Sequence, residues 1–160
     1  MKFVWIILLI GVSAMAKPNE PKRSVKTSSG YILVLRQGDD VFKELEKFAT
    51  EKEIPSATFF GMGFVNATLG YFDFKTKKYE PKEFKGVELA SMNGSIAWQD
   101  GKPSLHIHGV LTEKDFKAYG GHLLAAEVGT GSVEITVMVN SQKLERKMEQ
   151  PLGANVLNLN

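Results

Sequence analysis

The chain has 160 residues, 24% of them charged, with a formal net charge of +2 and no cysteine. That length suggests one domain, and the lack of cysteine excludes a disulfide framework. A balance so close to neutral gives no electrostatic drive towards nucleic acid or an anionic membrane. At the N-terminus, Met1-Lys2 precedes an apolar run, Phe3 to Val12, that is too short to span a bilayer. It is followed by Ser13-Ala14-Met15-Ala16, whose Ala-x-Ala end is the small-residue pattern of a signal peptidase site. Residues 1–16 therefore read as a secretory signal peptide, and the expected location is secreted or periplasmic. An uncleaved anchor is the alternative; with the peptide removed, no membrane partner is expected. Loss of Lys2 takes the formal charge from +2 to +1.

Residues 17–29 are polar, carry Pro18 and Pro21 and show no apolar periodicity, so they read as a flexible leader. Tyr31-Ile32-Leu33-Val34-Leu35 is a buried strand by its β-branched and aromatic content. A helix is predicted to start at Asp39 or Asp40, where a carboxylate can accept from free amides. Val41, Phe42, Leu45, Phe48 and Ala49 keep helical spacing, and Ile54-Pro55 stops the run. Strands follow. Ala57 to Phe60 leads into Gly61-Met62-Gly63, read as a tight turn, and Val65 to Phe74 alternates, with Val65, Ala67, Leu69 and Tyr71 on one face. Lys75 to Lys78 is a polar hairpin tip, and Tyr79 to Phe84 a return strand. Val87 to Ala97 continues as a strand with Gly94 as a candidate bulge. Asp100-Gly101 is a hairpin turn signal.

Next comes Leu105-His106-Ile107-His108-Gly109. Thr112 to Asp115 is read as a short helical turn, Leu123 to Val128 is ambiguous between helix and strand, and Val133 to Val139 is a strand. The tail, residues 143–160, is charged and ends in an apolar stretch that could add an edge strand. One early helix and many later strands define an α+β domain with a mainly antiparallel sheet.

All three histidines, His106, His108 and His122, fall within this short region. In a strand, residues two apart share a face with Cβ atoms roughly 6.5–7 Å apart. His106 and His108 can therefore converge on one metal ion while Ile107 faces inward, and Gly120-Gly121 would let the backbone bring His122 alongside. Three neutral imidazoles suit zinc, with a fourth position open to water or a ligand. The plain alternative is a polar strand face with no metal.

Three segments together resemble the plants-and-prokaryotes conserved domain, PPC or PCC: Gly61-Met62-Gly63-Phe64-Val65-Asn66-Ala67-Thr68-Leu69-Gly70-Tyr71-Phe72-Asp73, Leu105-His106-Ile107-His108-Gly109 and Gly120-Gly121-His122-Leu123. The resemblance runs from about Tyr31 to Asn140 and bounds a PPC-like domain at residues 30–142. It implies a compact α+β domain assembling as a homotrimer. It also implies, as in many bacterial and archaeal members, a metal site at His106, His108 and His122. Plant members carry AT-hooks and a Gly-Arg-Phe-Glu-Ile-Leu motif. Here the motif's place is taken by Gly86-Val87-Glu88-Leu89, without its arginine and phenylalanine, and there is no AT-hook. DNA binding is accordingly not expected.

A rival reading is the cupin barrel. Gly101, His106, His108, Glu113 and Gly120 approach the first cupin motif, with Glu113 as a fourth ligand. The second motif, a late Gly-x-x-His-x-x-x-Asn, is absent. As a zinc-dependent hydrolase or lyase the protein would need a general acid or base beside the metal. Glu88, Glu113 and Glu127 qualify by type alone. The competing reading is a binding module whose metal organises a pocket for a small anionic ligand.

Overall fold

The computed structural model describes residues 21–159; the expected signal peptide, residues 1–16, lies outside them. Eight strands and one helix follow in the order β1 (Ser24–Lys26), β2 (Gly30–Arg36), α1 (Val41–Glu51), β3 (Ser56–Asp73), β4 (Lys78–Gln99), β5 (Lys102–Thr112), β6 (Ala118–Asn140), β7 (Glu145–Glu149) and β8 (Ala154–Asn158). The strands form one sheet ordered β1-β2-β6-β3-β4-β7-β8, and β5 pairs with both β4 and β6. Every pairing is antiparallel except a single parallel bridge between β4 and β7. The domain is thus mostly sheet with one short helix, more strand-rich than an α+β reading implies. The difference lies in strand length: β3, β4 and β6 each run for 18 residues or more, where the sequence pattern suggested breaks.

The pairings β3–β4, β4–β5, β5–β6 and β6–β3 close on themselves. Leu69, Leu89, Ile107, Leu111, Leu123, Val128 and Ile135 fill the enclosed space. Helix α1 packs against β5 and β6 and buries Val41, Leu45, Phe48 and Ala49, the face its spacing predicts. Its N-cap is Asp40, whose carboxylate accepts from the Phe42 and Lys43 amides at 3.0 and 3.1 Å. The last helical residue is Glu51, three positions before Ile54. Glu53 adopts a positive φ of 49° there, so the chain turns before the Pro55 constraint applies.

Four local expectations are corrected. Gly61-Met62-Gly63 is no turn but part of β3, with register irregularities on both neighbouring strands. A Cβ at Gly61 would sit 2.7 Å from the Glu134 carbonyl oxygen, so the glycine serves close strand approach. Gly94 pairs without a bulge, and its missing side chain leaves room for the Phe59 ring. Residues 113–117 form a tight reversal between β5 and β6, not a helical turn. Tyr71 is 73% exposed although Val65, Ala67 and Leu69 are buried; β3 outruns the core before it reaches Tyr71.

Within the stretch read as a flexible leader, Ser24–Lys26 pairs with β2. In the tail, β7 and β8 pair antiparallel. The Asp100-Gly101 turn has positive φ at both residues, 51° and 76°, as a tight two-residue hairpin requires.

Candidate metal centre

Strand β5 supplies two of the histidines. Ile107 between them is 1% exposed and belongs to the core, so the period of two turns His106 and His108 to the outer face, where both are exposed. The third histidine comes from the start of β6. His122 is the direct cross-strand partner of His108, and directly opposed residues project on the same face. His122 is also paired on its other side with Gly70 of β3, so it sits where the sheet branches towards β5 and β3. Gly120 and Gly121 keep extended backbone with no positive φ. The expectation that they free the backbone to deliver His122 is therefore corrected: straightforward antiparallel register does so.

The three rings form a nearly equilateral triangle, with centroid separations of 5.1, 5.2 and 5.2 Å. Nε2 of His106 and Nε2 of His108 are 3.2 Å apart, close to the ~3–3.5 Å expected for two ligands on a tetrahedral ion at ~2.0–2.1 Å. One ring nitrogen from each histidine lies within 4.8 Å of the other two. The donor set thus fits a metal ion, with three imidazoles each offering one ring nitrogen to a common point. Glu113, the extra ligand a cupin would use, is not in this cluster. It lies in the β5–β6 reversal, where its N–H donates to the Lys117 carbonyl at 3.1 Å. Glu88 and Glu127, the other carboxylates named from sequence, are likewise not in the cluster.

Two neighbours had no signal in the sequence. The Tyr79 ring stacks on His122 at 4.8 Å and 29°. Gly70 makes room for it, since a Cβ there would meet Tyr79 Cδ1 at 2.9 Å. Arg146 of β7 is the second: it donates to the hydroxyl of Ser95, the cross-strand partner of His106. Tyr79 reads only as an ordinary strand aromatic, and Arg146 only as one charge in a charged tail.

Partial burial, with the neighbouring His106 and His108, pushes His122 from 6.5 down to about 4. His106 is lowered as well, by burial first and then by Arg146 and His108. Both rings are thus held neutral, the state a metal ligand needs. A stability consequence follows for metal-free protein. Between about pH 6.5 and about pH 4, an unfolded chain protonates His122 while the folded chain does not, so stability falls as pH falls through that window. The denaturation midpoint in urea, followed from pH 7 to pH 4, should drop less steeply in His122→Gln than in the wild type.

Residues 22–141 match the family model of the Plants and Prokaryotes Conserved (PCC) domain. Among solved structures, the chain is similar to a candidate DNA-binding protein from Ralstonia eutropha JMP134, at 50% identity over 86% of this chain and 96% of that one, with a TM-score of 0.84. A metal-containing protein from Archaeoglobus fulgidus is 35% identical over 78% of this chain and 89% of its own, with a TM-score of 0.72. A plant- and prokaryote-conserved (PPC) protein from Pyrococcus horikoshii is 28% identical over 80% and 90%, also at 0.72. No curated protein matches this chain.

Proposed function

This chain belongs to the Plants and Prokaryotes Conserved domain family, and from that premise we propose that it is a metal-binding domain holding zinc at His106, His108 and His122 and presenting it to a small ligand. The observation that carries the reading is the triangle of imidazoles with 5.1–5.2 Å centroid separations. The metal-containing relative from Archaeoglobus fulgidus supports it. Zinc is favoured by three nitrogen donors with no carboxylate in the cluster. The test is elemental analysis of protein purified without an affinity tag. About one metal per chain is expected; protein that neither carries metal nor takes up added zinc would exclude the reading.

A zinc-dependent hydrolase or lyase is the second reading. Bound zinc would supply Lewis acidity and a water with its pKa near ~7. The chain's own part would be proton transfer, and for that the histidine cluster offers no carboxylate. Tyr79 lies against His122, but burial raises its pKa above 10.0, which suits a hydrogen-bond donor better than a base at neutral pH. Binding is therefore preferred to catalysis. DNA binding, the role named for the Ralstonia protein, is not proposed for this chain, whose near-neutral charge offers no surplus of cations for a nucleic-acid backbone.

We further propose that the working unit is a homotrimer, exported after cleavage behind Ala16. An apolar surface favours assembly: Ile32, Phe60, Met62 and Met138 are 40–62% exposed on β2, β3 and β6, the kind of patch that marks contact with another surface. Sedimentation equilibrium should return three times the chain mass; a monomer over a wide concentration range would refute assembly. N-terminal sequencing should begin at Lys17, and retention of Met1 in the mature product would refute export by this route.

A further inference from the structure

Arg146 is an unusual residue in this fold. Only 6% of it is exposed, and it is the one charged side chain among the buried residues described. Long charged side chains are rarely buried unless a partner of opposite charge is buried with them. Among the described residues none is: the ion pairs are Arg23–Asp39, Lys43–Asp40 and Lys117–Asp115. The guanidinium makes one strong contact, from Nη2 to the Ser95 hydroxyl at 2.6 Å. Its Nε–H is buried with no acceptor at all. An orphaned buried donor on a cation is costly, and no described residue supplies its acceptor.

Where that acceptor would sit follows from the register. Ser95 lies directly opposite His106, and opposed residues in an antiparallel pair share a face. Arg146 therefore reaches the hydroxyl on the outer face of the sheet, one strand away from the histidine triangle. Elsewhere in the site the Tyr79 ring stacks on His122. The guanidinium thus contacts the cross-strand partner of His106, while an aromatic ring packs on His122.

We propose that Arg146 is the specificity-determining residue of this site: with Ser95 it captures one end of a small oxyanion, a carboxylate or phosphate, whose other oxygen faces the metal held by His106, His108 and His122. The inference rests on the metal reading of the histidines and adds the residue that selects the ligand and the ligand's chemical class. The guanidinium is suited to the task because its planar donors match two oxygens of one anion, which a lysine ammonium does not. A neutral ligand would leave the buried charge uncompensated.

The experiment titrates zinc-loaded protein with inorganic phosphate and, separately, with acetate, by calorimetry. Wild type, Arg146→Gln and Arg146→Lys are compared, and the metal content of every sample is measured first. Arg146→Gln is expected to weaken binding of the preferred anion about 10- to 100-fold at unchanged metal content, and Arg146→Lys to restore part of it. The two titrations distinguish a phosphate from a carboxylate site. Should Arg146→Gln fail to fold, the wild-type Arg146 Nε–H resonance supplies the answer, since it should shift on addition of the anion. Equal anion affinity in all three proteins would overturn the inference while leaving the metal reading intact. So would an Arg146→Gln protein whose only change is a dissociated assembly, which would assign the missing acceptor to a neighbouring subunit. Protein without metal would instead remove the reading on which the inference stands.

Discussion

His122→Ala is expected to lower the metal content from about one ion per chain to less than roughly a tenth, while the domain stays folded. The loss follows from geometry. His122 closes the triangle opposite His106 and His108, and two imidazoles alone leave an ion with too few protein ligands to compete with water and buffer. The fold survives because the ring is only partly buried, and because its neighbour Leu123, at 0% exposure, remains in the core. His106→Ala and His108→Ala should behave alike, being exposed and on the same face. Elemental analysis beside circular dichroism separates the outcomes. Metal retained in His122→Ala would show that the triangle is a polar strand face.

Ile107→Ala should do the reverse. Its side chain lies between the two β5 histidines in sequence but on the opposite face, 1% exposed and within the core. Truncation removes the buried branch and leaves a cavity that the closed ring of β3, β4, β5 and β6 cannot readily collapse. Large-to-small changes of this kind cost about 2–5 kcal/mol. Chemical denaturation should show that loss, while the folded fraction keeps its metal because the β5 register is untouched. A variant as stable as the wild type would mean that the inward face of β5 is not the packed face described.

The contrast between these neighbours explains how much of the protein could be read from its residues. The alternation through Leu105 to His108 is a local property of a strand, so which face carries the histidines was legible. So were the helix and its buried face, the Asp40 cap and the Asp100-Gly101 hairpin, each set by a few adjacent residues. The family was legible from its three segments. The length of β3 and the regular pairing of β4 were not, because along the chain Gly61 and Gly63 look like a turn and Gly94 like a bulge. They are places where a neighbouring strand or ring comes too close for a side chain, and only pairing reveals this. Tyr79 and Arg146 were missed for the same reason. Tyr79 reaches the site through the β3–β4 hairpin, and Arg146 through one parallel bridge, Trp98 with Glu145.

The β5–β6 hairpin that carries all three histidines has a kinetic consequence. Its register sets His108 against His122 across a short reversal, so the triangle forms without any distant pairing. Closing so short a loop has a small entropic penalty, and isolated hairpins form in about 1–10 μs. The rest of the sheet waits on separations as large as Ser56 with Asn140, which slow the search for the native topology. The histidine triangle is therefore placed among the earliest structure to assemble, and the guanidinium beside it among the latest.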